Sequence, residues 1–547
     1  MKTLFFIALI FFSTCAFVQN PLNENYTEKV EELLNEYPIK NGPGIAISVI
    51  RDGEVIYKKN KGYANLEHMV PITDSTKFVV GSIAKQFTAF SILLLEDEGK
   101  LSIDDDIIKY LPELNLLEHK ITIKQLINHT SGFRNTYDLN SLRGITDYDL
   151  CSQEELVDLL LRQRGLNFVP GDRFQYCNAA YVLLAEIVER VSEKSFANFT
   201  KERIFEPLKM TNSLFVDNPH LVVKNKALSY YKQGNDFHYI PFNHSIVGST
   251  GLYSTVGDLC IWANNFDKIT IGNQNIIRKM KQKSNLNNGE KIPYALGQEL
   301  KIYKGLNVVF HGGGDAGFRS YLLRVPDYNL SIAVSGNFES FNPLNLSYGL
   351  VDVFLPNEIQ EPIKEKVPNY TYKDLRKFEG DYQVFPGLYI TIFAEKDSLY
   401  FKVYGSEDKL NLPVIAENEF QFPARPHSKF KFYENSLTWH FSDFYYPGNK
   451  VILDPPTYES LVLNDYAGLY KSPEIETAYS FIIKDNKLIA THYLNEDVTL
   501  IPIEEDTFIS NTSHIGRVAF TRNDNGMING CKISGQSSYN ILFYKTA

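Results

Sequence analysis

Gly81-Ser82-Ile83-Ala84-Lys85 opens the run GSIAKQFTAFSILLLEDEG (81–99), and its reading decides the rest of the chain. The run reads as a helix from about residue 82, closed by Gly99. A serine at such a start with a lysine one turn on puts both side chains on one face. A serine hydroxyl is a poor nucleophile until a base stands beside it. A lysine serves as base only where burial lowers its pKa. The helix N-terminus adds positive potential where oxyanion charge develops. Alone the spacing decides little, because Ser229/Lys232, Ser406/Lys409 and Ser428/Lys431 share it. An N-cap serine followed by a solvated lysine is the simpler account of Ser82 and Lys85 taken by themselves.

Outward from this run, strands and helices segregate. Upstream, GIAISVIRDGEVIYKKNKGYANLE (44–67) holds two strand-like runs around Asp52-Gly53, a hairpin signal. Downstream, TIKQLINHT, QEELVDLLLRQ and NAAYVLLAEIVERVSE read as helices up to about residue 270. Strands return from 306 with LNVVFHGGG, FRSYLLRVPDYN and LSIAVSGN. Strands that open and close a helical region predict an α+β catalytic domain over 21–355, an antiparallel sheet built from both ends against a helical lobe. Residues 356–373, rich in proline and charge, read as a linker. Beyond them the chain repeats itself at an offset of about 88 residues: FEGDY (378–382) returns as YAGLY (466–470), and KDSL (396–399) as KDNKL (484–488). Two small all-β barrel-like domains are expected, over 374–456 and 457–547.

Two further elements carry chemistry. Tyr176-Cys177-Asn178 follows Pro170-Gly171-Asp172 and opens a helix. A phenol can relay a proton and a side-chain amide can hold a substrate carbonyl. Tyr63-Ala64-Asn65 and Tyr493-Leu494-Asn495 compete for the same reading. His311-Gly312-Gly313-Gly314 ends a strand, where glycines let substrate backbone approach and a backbone N–H can complete an oxyanion hole. His514-Ile515-Gly516 is a competing match in the second repeat.

Ser-x-x-Lys, Tyr-x-Asn and His-x-Gly in this order resemble the serine β-lactamase and penicillin-binding-protein superfamily, in its class C-like branch. INHTSGF (127–133), PGDRFQYCNAAYVLLAEIVERVS (170–192) and GSTGLYSTVGDL (248–259) support the likeness over about residues 25–355. The resemblance implies a β-lactamase/transpeptidase-like fold, with Ser82 acylated, Lys85 and Tyr176 sharing proton transfer, and Asn178 binding substrate amide. It also implies an oxyanion hole from the N–H groups of Ser82 and Gly314, with His311 and Gly313 beside the substrate. The resembled family usually has lysine where His311 stands, and that lysine helps bind a substrate carboxylate. His-x-Gly with two C-terminal barrels resembles the D-aminopeptidases instead, in which barrels lean over the cleft. The implied function is acyl-enzyme hydrolysis of small amides or esters, D-amino-acid peptides or esters ahead of β-lactams. β-Lactamase or D-Ala-D-Ala carboxypeptidase action is the alternative. A non-catalytic penicillin-binding sensor or wall-binding protein is a reading of another class. No Gly-x-Ser-x-Gly pentad is present, which argues against an α/β-hydrolase. Neither repeat holds a complete catalytic set, so both are expected to be separable from the chemistry but not from substrate choice.

Composition narrows the partners. A net charge of −10 is spread along the chain, which argues against nucleic acid. A small-molecule or peptide substrate, cell-wall derived among the candidates, is the expected partner. No metal or cofactor is called for. Residues 1–20 pair Lys2 with an apolar run and small residues, and read as a signal peptide for a secreted or periplasmic protein. Cys15 offers a less favoured lipid-attachment site. Cys151, Cys177, Cys260 and Cys531 are scattered and read as core thiols.

Overall fold

The computed structural model describes residues 23–37, 41–146, 148–360, 367–423, 428–441, 444–512 and 514–546. The segment read as a signal peptide, with Cys15, lies outside them, as does part of the expected linker. No helix among the described residues is long and apolar enough to cross a membrane.

Both ends of the catalytic domain build one antiparallel sheet of six strands. Its order is Glu299–Tyr303, Leu306–Asp315, Phe318–Val325, Leu330–Gly336, Ile45–Arg51, Glu54–Lys61. Ile45–Arg51 pairs with Leu330–Gly336 on one side and with its own hairpin partner on the other. Its alternation explains why it is buried from Ile45 to Ile50. Ile45, Ile47 and Val49 face the core under the helices Asn23–Leu34 and Pro343–Phe354. Ala46 and Ile50 face the helical lobe. The helix Ala84–Asp97 runs through the middle of that lobe, and every residue from Ala84 to Leu95 is buried. A helix apolar nearly all round can be satisfied only in such a position. Ser82 does not open this helix directly: Gly81–Ile83 form a 3-10 turn before it.

The C-terminal half holds two β structures. The first is a nine-stranded sheet whose outer strands, Leu410–Leu412 and Val414–Ala416, are separated in sequence only by Pro413 and so nearly close it. The second is a closed barrel of eight strands. The repeat seen in sequence has a structural counterpart. Tyr382 O–H donates to Phe378 O at 2.9 Å, and Tyr470 O–H donates to Tyr466 O at 2.9 Å. Gly380 and Gly468 share a positive φ, 146° and 141°.

The two barrels relate differently to the catalytic domain. The first has a core of its own. The second shares one continuous apolar core with the helical lobe, joining Leu139 and Leu142 to Tyr479 and Phe543. A buried ion pair locks that junction. Arg134 Nη1 lies 2.5 Å from Glu474 Oε2, with the two side chains 3% and 1% exposed. Arg134 also donates to Tyr539 O, Asn540 O and Gln163 Oε1. The expected separability of both repeats therefore does not extend to the second barrel, whose removal would strand a buried guanidinium and open a shared core. Arg134→Ala should cost about 3–5 kcal/mol, the scale of stranding one partner of a buried pair. A chain ended near residue 456 should lose the cooperative unfolding of its lobe. Thermal unfolding followed by near-UV circular dichroism reads both, and unchanged midpoints would mean that the junction contributes nothing.

Candidate active site

Four segments from separate parts of the chain converge on Ser82. The 3-10 turn presents its hydroxyl, half-buried, at the mouth of the lobe. Lys85, in the first turn of the following helix, has no exposed surface. Its Nζ lies 3.0 Å from Ser82 Oγ, 2.7 Å from Asn178 Oδ1 and 2.8 Å from Ser249 O. It stands 4.9 Å from the centroid of the Tyr176 ring and 5.5 Å from that of Tyr181. Burial takes the Lys85 pKa down to about 7, against the opposing charge of Asp315. In its neutral form the amine donates to Asn178 and Ser249, and its lone pair faces the Ser82 hydroxyl.

Tyr176 precedes the helix Asn178–Ser192, and its phenol lies close enough to the Ser82 side chain for the two to interact. Burial pushes that phenol well above the usual 10, and the interaction with Ser82 offsets part of the shift. Tyr176 is therefore a protonated hydroxyl at neutral pH. Asn178 is the first residue of its helix, accepts from Lys85 and lines the adjoining cavity.

The third segment is the inner strand Leu306–Asp315, which passes against residues 80–82. A Cβ on Gly313 would sit 1.9 Å from Val80 O, and one on Gly81 would sit 2.6 Å from Gly314 N. Gly81 also has φ +53°. Both positions need glycine, and together they bring the Ser82 and Gly314 backbones side by side. His311 behaves differently from its neighbours. Its side chain is 2% exposed, with Nε2 2.8 Å from Tyr294 Oη and Nδ1 2.6 Å from Gly312 O. Burial and the nearby Lys85 charge hold it down to about 3, so it is neutral. It belongs to an aromatic layer with Tyr294 and Tyr176, its ring centroid 5.7 Å and 6.3 Å from theirs.

The competing matches lie elsewhere or act otherwise. Ser229 donates to Ile240 O within a hairpin, Lys409 pairs with Glu395, and Ser428 donates to His440 O. Asn65 Oδ1 accepts from His68 N. Two of the competing matches, both in the second repeat, line a cavity beside the site, one that touches Asn178 and Ser249 but not Ser82, Lys85, Tyr176 or Gly314. These are Asn495 and His514, and the cavity, of about 510 Å³, also touches Thr250. Asn495 donates to Ser141 O at 2.9 Å, which fixes that wall. The lining includes Asp149 and Glu339 and, among the described residues, no lysine or arginine.

Sequence reasoning passed over Asp315 and Ser249. Asp315 accepts from Thr250 Oγ1 and lies 3.2 Å from His244 Nε2. Burial works to raise its pKa, but His244 and Thr250 outweigh it and keep it below the usual value. Its place at the end of the Gly-rich strand was the available signal. Ser249 acts through its carbonyl, which no residue type announces.

Three similarities bear on this geometry. The chain is 28% identical over 326 residues to a D-aminopeptidase of Gluconobacter oxydans (strain 621H), a match covering 58% of this chain and 60% of that protein. The octameric penicillin-binding protein homologue from Pyrococcus abyssi superposes with a TM-score of 0.56 at 26% identity, over 77% of this chain and all of that one. SurE, at 16% identity, shares the fold alone, with a TM-score of 0.53 over 95% of this chain and 99% of its own. The chain thus spans about three fifths of the D-aminopeptidase it matches. A family model described as Beta-lactamase matches residues 29–347, more than half of the sequence, and the chain belongs to that family.

Proposed function

We propose that this beta-lactamase-family hydrolase cleaves small amides or esters of D-amino-acid-like acyl groups through an acyl-enzyme on Ser82. The observation that carries the reading is the dry Lys85 amine held between Ser82 Oγ, Asn178 Oδ1 and Ser249 O. The neutral amine takes the Ser82 proton as Oγ bonds to the substrate carbonyl carbon. The Ser82 and Gly314 N–H groups receive the oxyanion. The Tyr176 phenol gives its proton to the leaving amine or alcohol as the C–N or C–O bond breaks and recovers one from the Lys85 ammonium, so both groups return to their starting states. Water then repeats the sequence on the ester and frees the acid. Asn178 orients the substrate amide, and Gly313 leaves room for its backbone.

The acidic, cation-free lining supports a substrate with a free ammonium rather than a carboxylate. His311, neutral and turned to Tyr294, supports the same choice, since it offers no charge to a carboxylate. The D-aminopeptidase likeness agrees. With residues 1–20 read as a leader, the reaction takes place outside the cytoplasm, and its substrate is a peptide or small molecule met there.

Ser82→Ala should abolish both turnover and covalent labelling by a fluorophosphonate, read by intact mass. The same adduct on the variant would remove Ser82 from the reading. The acid limb of kcat/KM should titrate near 7, rising with pH as Lys85 loses its proton. Lys85→Arg, charged at every working pH, should cut kcat by about a hundredfold or more. A profile flat between about pH 5 and 9 would exclude Lys85 as the base. In a panel of D-aminoacyl nitroanilides, short esters and a chromogenic cephalosporin, free-amine substrates should lead. Preference for N-acetylated analogues or the cephalosporin would overturn the substrate class while leaving the nucleophile in place.

A further inference from the structure

His129 touches neither Ser82 nor the cavity, yet it grips the chain on both sides of Tyr176. Its backbone carbonyl accepts from Gln175 N–H at 2.9 Å. Its Nδ1 accepts from Cys177 N–H at 3.1 Å. Its ring lies under the Tyr176 ring, centroids 4.3 Å apart at 36°, and meets Tyr294 at 4.7 Å. We propose that His129 is the positioning residue of the acylating centre, fixing the Tyr176 phenol against Ser82 by pinning residues 175 and 177 and backing the ring between them. This inference rests on Tyr176 being the proton carrier.

Two features of His129 are hard to explain by packing. It is 1% exposed and Nε2 has no partner among the described residues. A buried polar atom left so carries an uncompensated desolvation cost, which an apolar side chain would avoid. Its φ is +61°, a region where glycine or asparagine is easier. Locally unfavourable choices of this kind persist where they hold a functional geometry. What an apolar residue cannot supply is the acceptor for Cys177 N–H, which would otherwise be buried and unpaired. With Nδ1 accepting, the neutral ring carries its proton on Nε2. Burial first, then Lys85 and His311 nearby, hold its pKa well below the usual 6.5, so at neutral pH the ring is neutral and the acceptor is present.

The test is a double-mutant cycle with Tyr176→Phe, read as kcat and KM per folded molecule on the best substrate of the panel. His129→Phe keeps a ring and removes the acceptor. It should lower kcat tenfold or more with KM little changed, a scale set by a misplaced proton carrier. His129→Asn keeps an acceptor and suits the left-handed backbone, and should restore most of the loss. In the Tyr176→Phe background neither substitution should cost anything further, because both act through the phenol. If His129→Phe does not fold, the smaller kcat loss of His129→Asn must vanish in that background in the same way. Full additivity, or His129→Asn as slow as a folded His129→Phe, overturns the inference alone. A Tyr176→Phe variant with unchanged kcat overturns the reading of Tyr176 and this inference with it.

Discussion

An amine kept dry among neutral oxygens is the constraint from which the rest follows. An ammonium in contact with a carboxylate stays charged and is no base. Lys85 is in contact with a hydroxyl, an amide oxygen and a backbone carbonyl. The main compensating charge, Asp315, is already engaged by Thr250 and His244. Such an arrangement survives only if water is excluded on every side. The central helix is accordingly buried nearly all round, the helix Asn178–Ser192 packs across it, and the rings of Tyr176 and Tyr181 close over the amine.

The same dryness moves the two titratable groups beside Ser82 in opposite directions. Burial moves a lysine down and a tyrosine up. One environment thus gives a neutral amine beside a protonated phenol, on either side of one serine oxygen. It also explains why His311 carries no charge. A lysine at that position, facing the cavity, would add a second cation near the first and oppose its protonation still further. With the imidazole folded back onto Tyr294, the strand keeps its glycines for backbone approach and gives up a site for anions.

The sheet, the lobe and both barrels were legible because their signals are local: a hairpin at Asp52-Gly53, helical periodicity after Ser82, and a repeat at fixed offset. Ser82, Lys85, Tyr176 and Asn178 were legible as spacings at helix starts, and the structure brings all four together. The glycines were legible as a run, though the reason for Gly313 is a clash with Val80 that only the fold reveals. Asn495 and His514 were not, since their proximity to the cavity depends on how the last barrel docks, and docking is written in contacts hundreds of residues apart. The orientation of His311 was hidden for the same reason: whether an imidazole faces substrate or Tyr294 is decided by packing. Ser249 was invisible because a carbonyl has no letter in the sequence.

The junction at Arg134 has a temporal meaning. Its partner Glu474 lies 340 residues further along the chain. A chain made from its N-terminus places Ser82, Lys85 and Tyr176 early, and domains generally begin to fold as they emerge. Until the second barrel is made, Arg134 and one face of the lobe's core lack the partners they have in the folded protein. Closing so long a loop is slow compared with local folding. The contacts across this junction therefore form after those of the lobe itself, and the cavity wall that holds Asn495 and His514 forms after the rest of its lining.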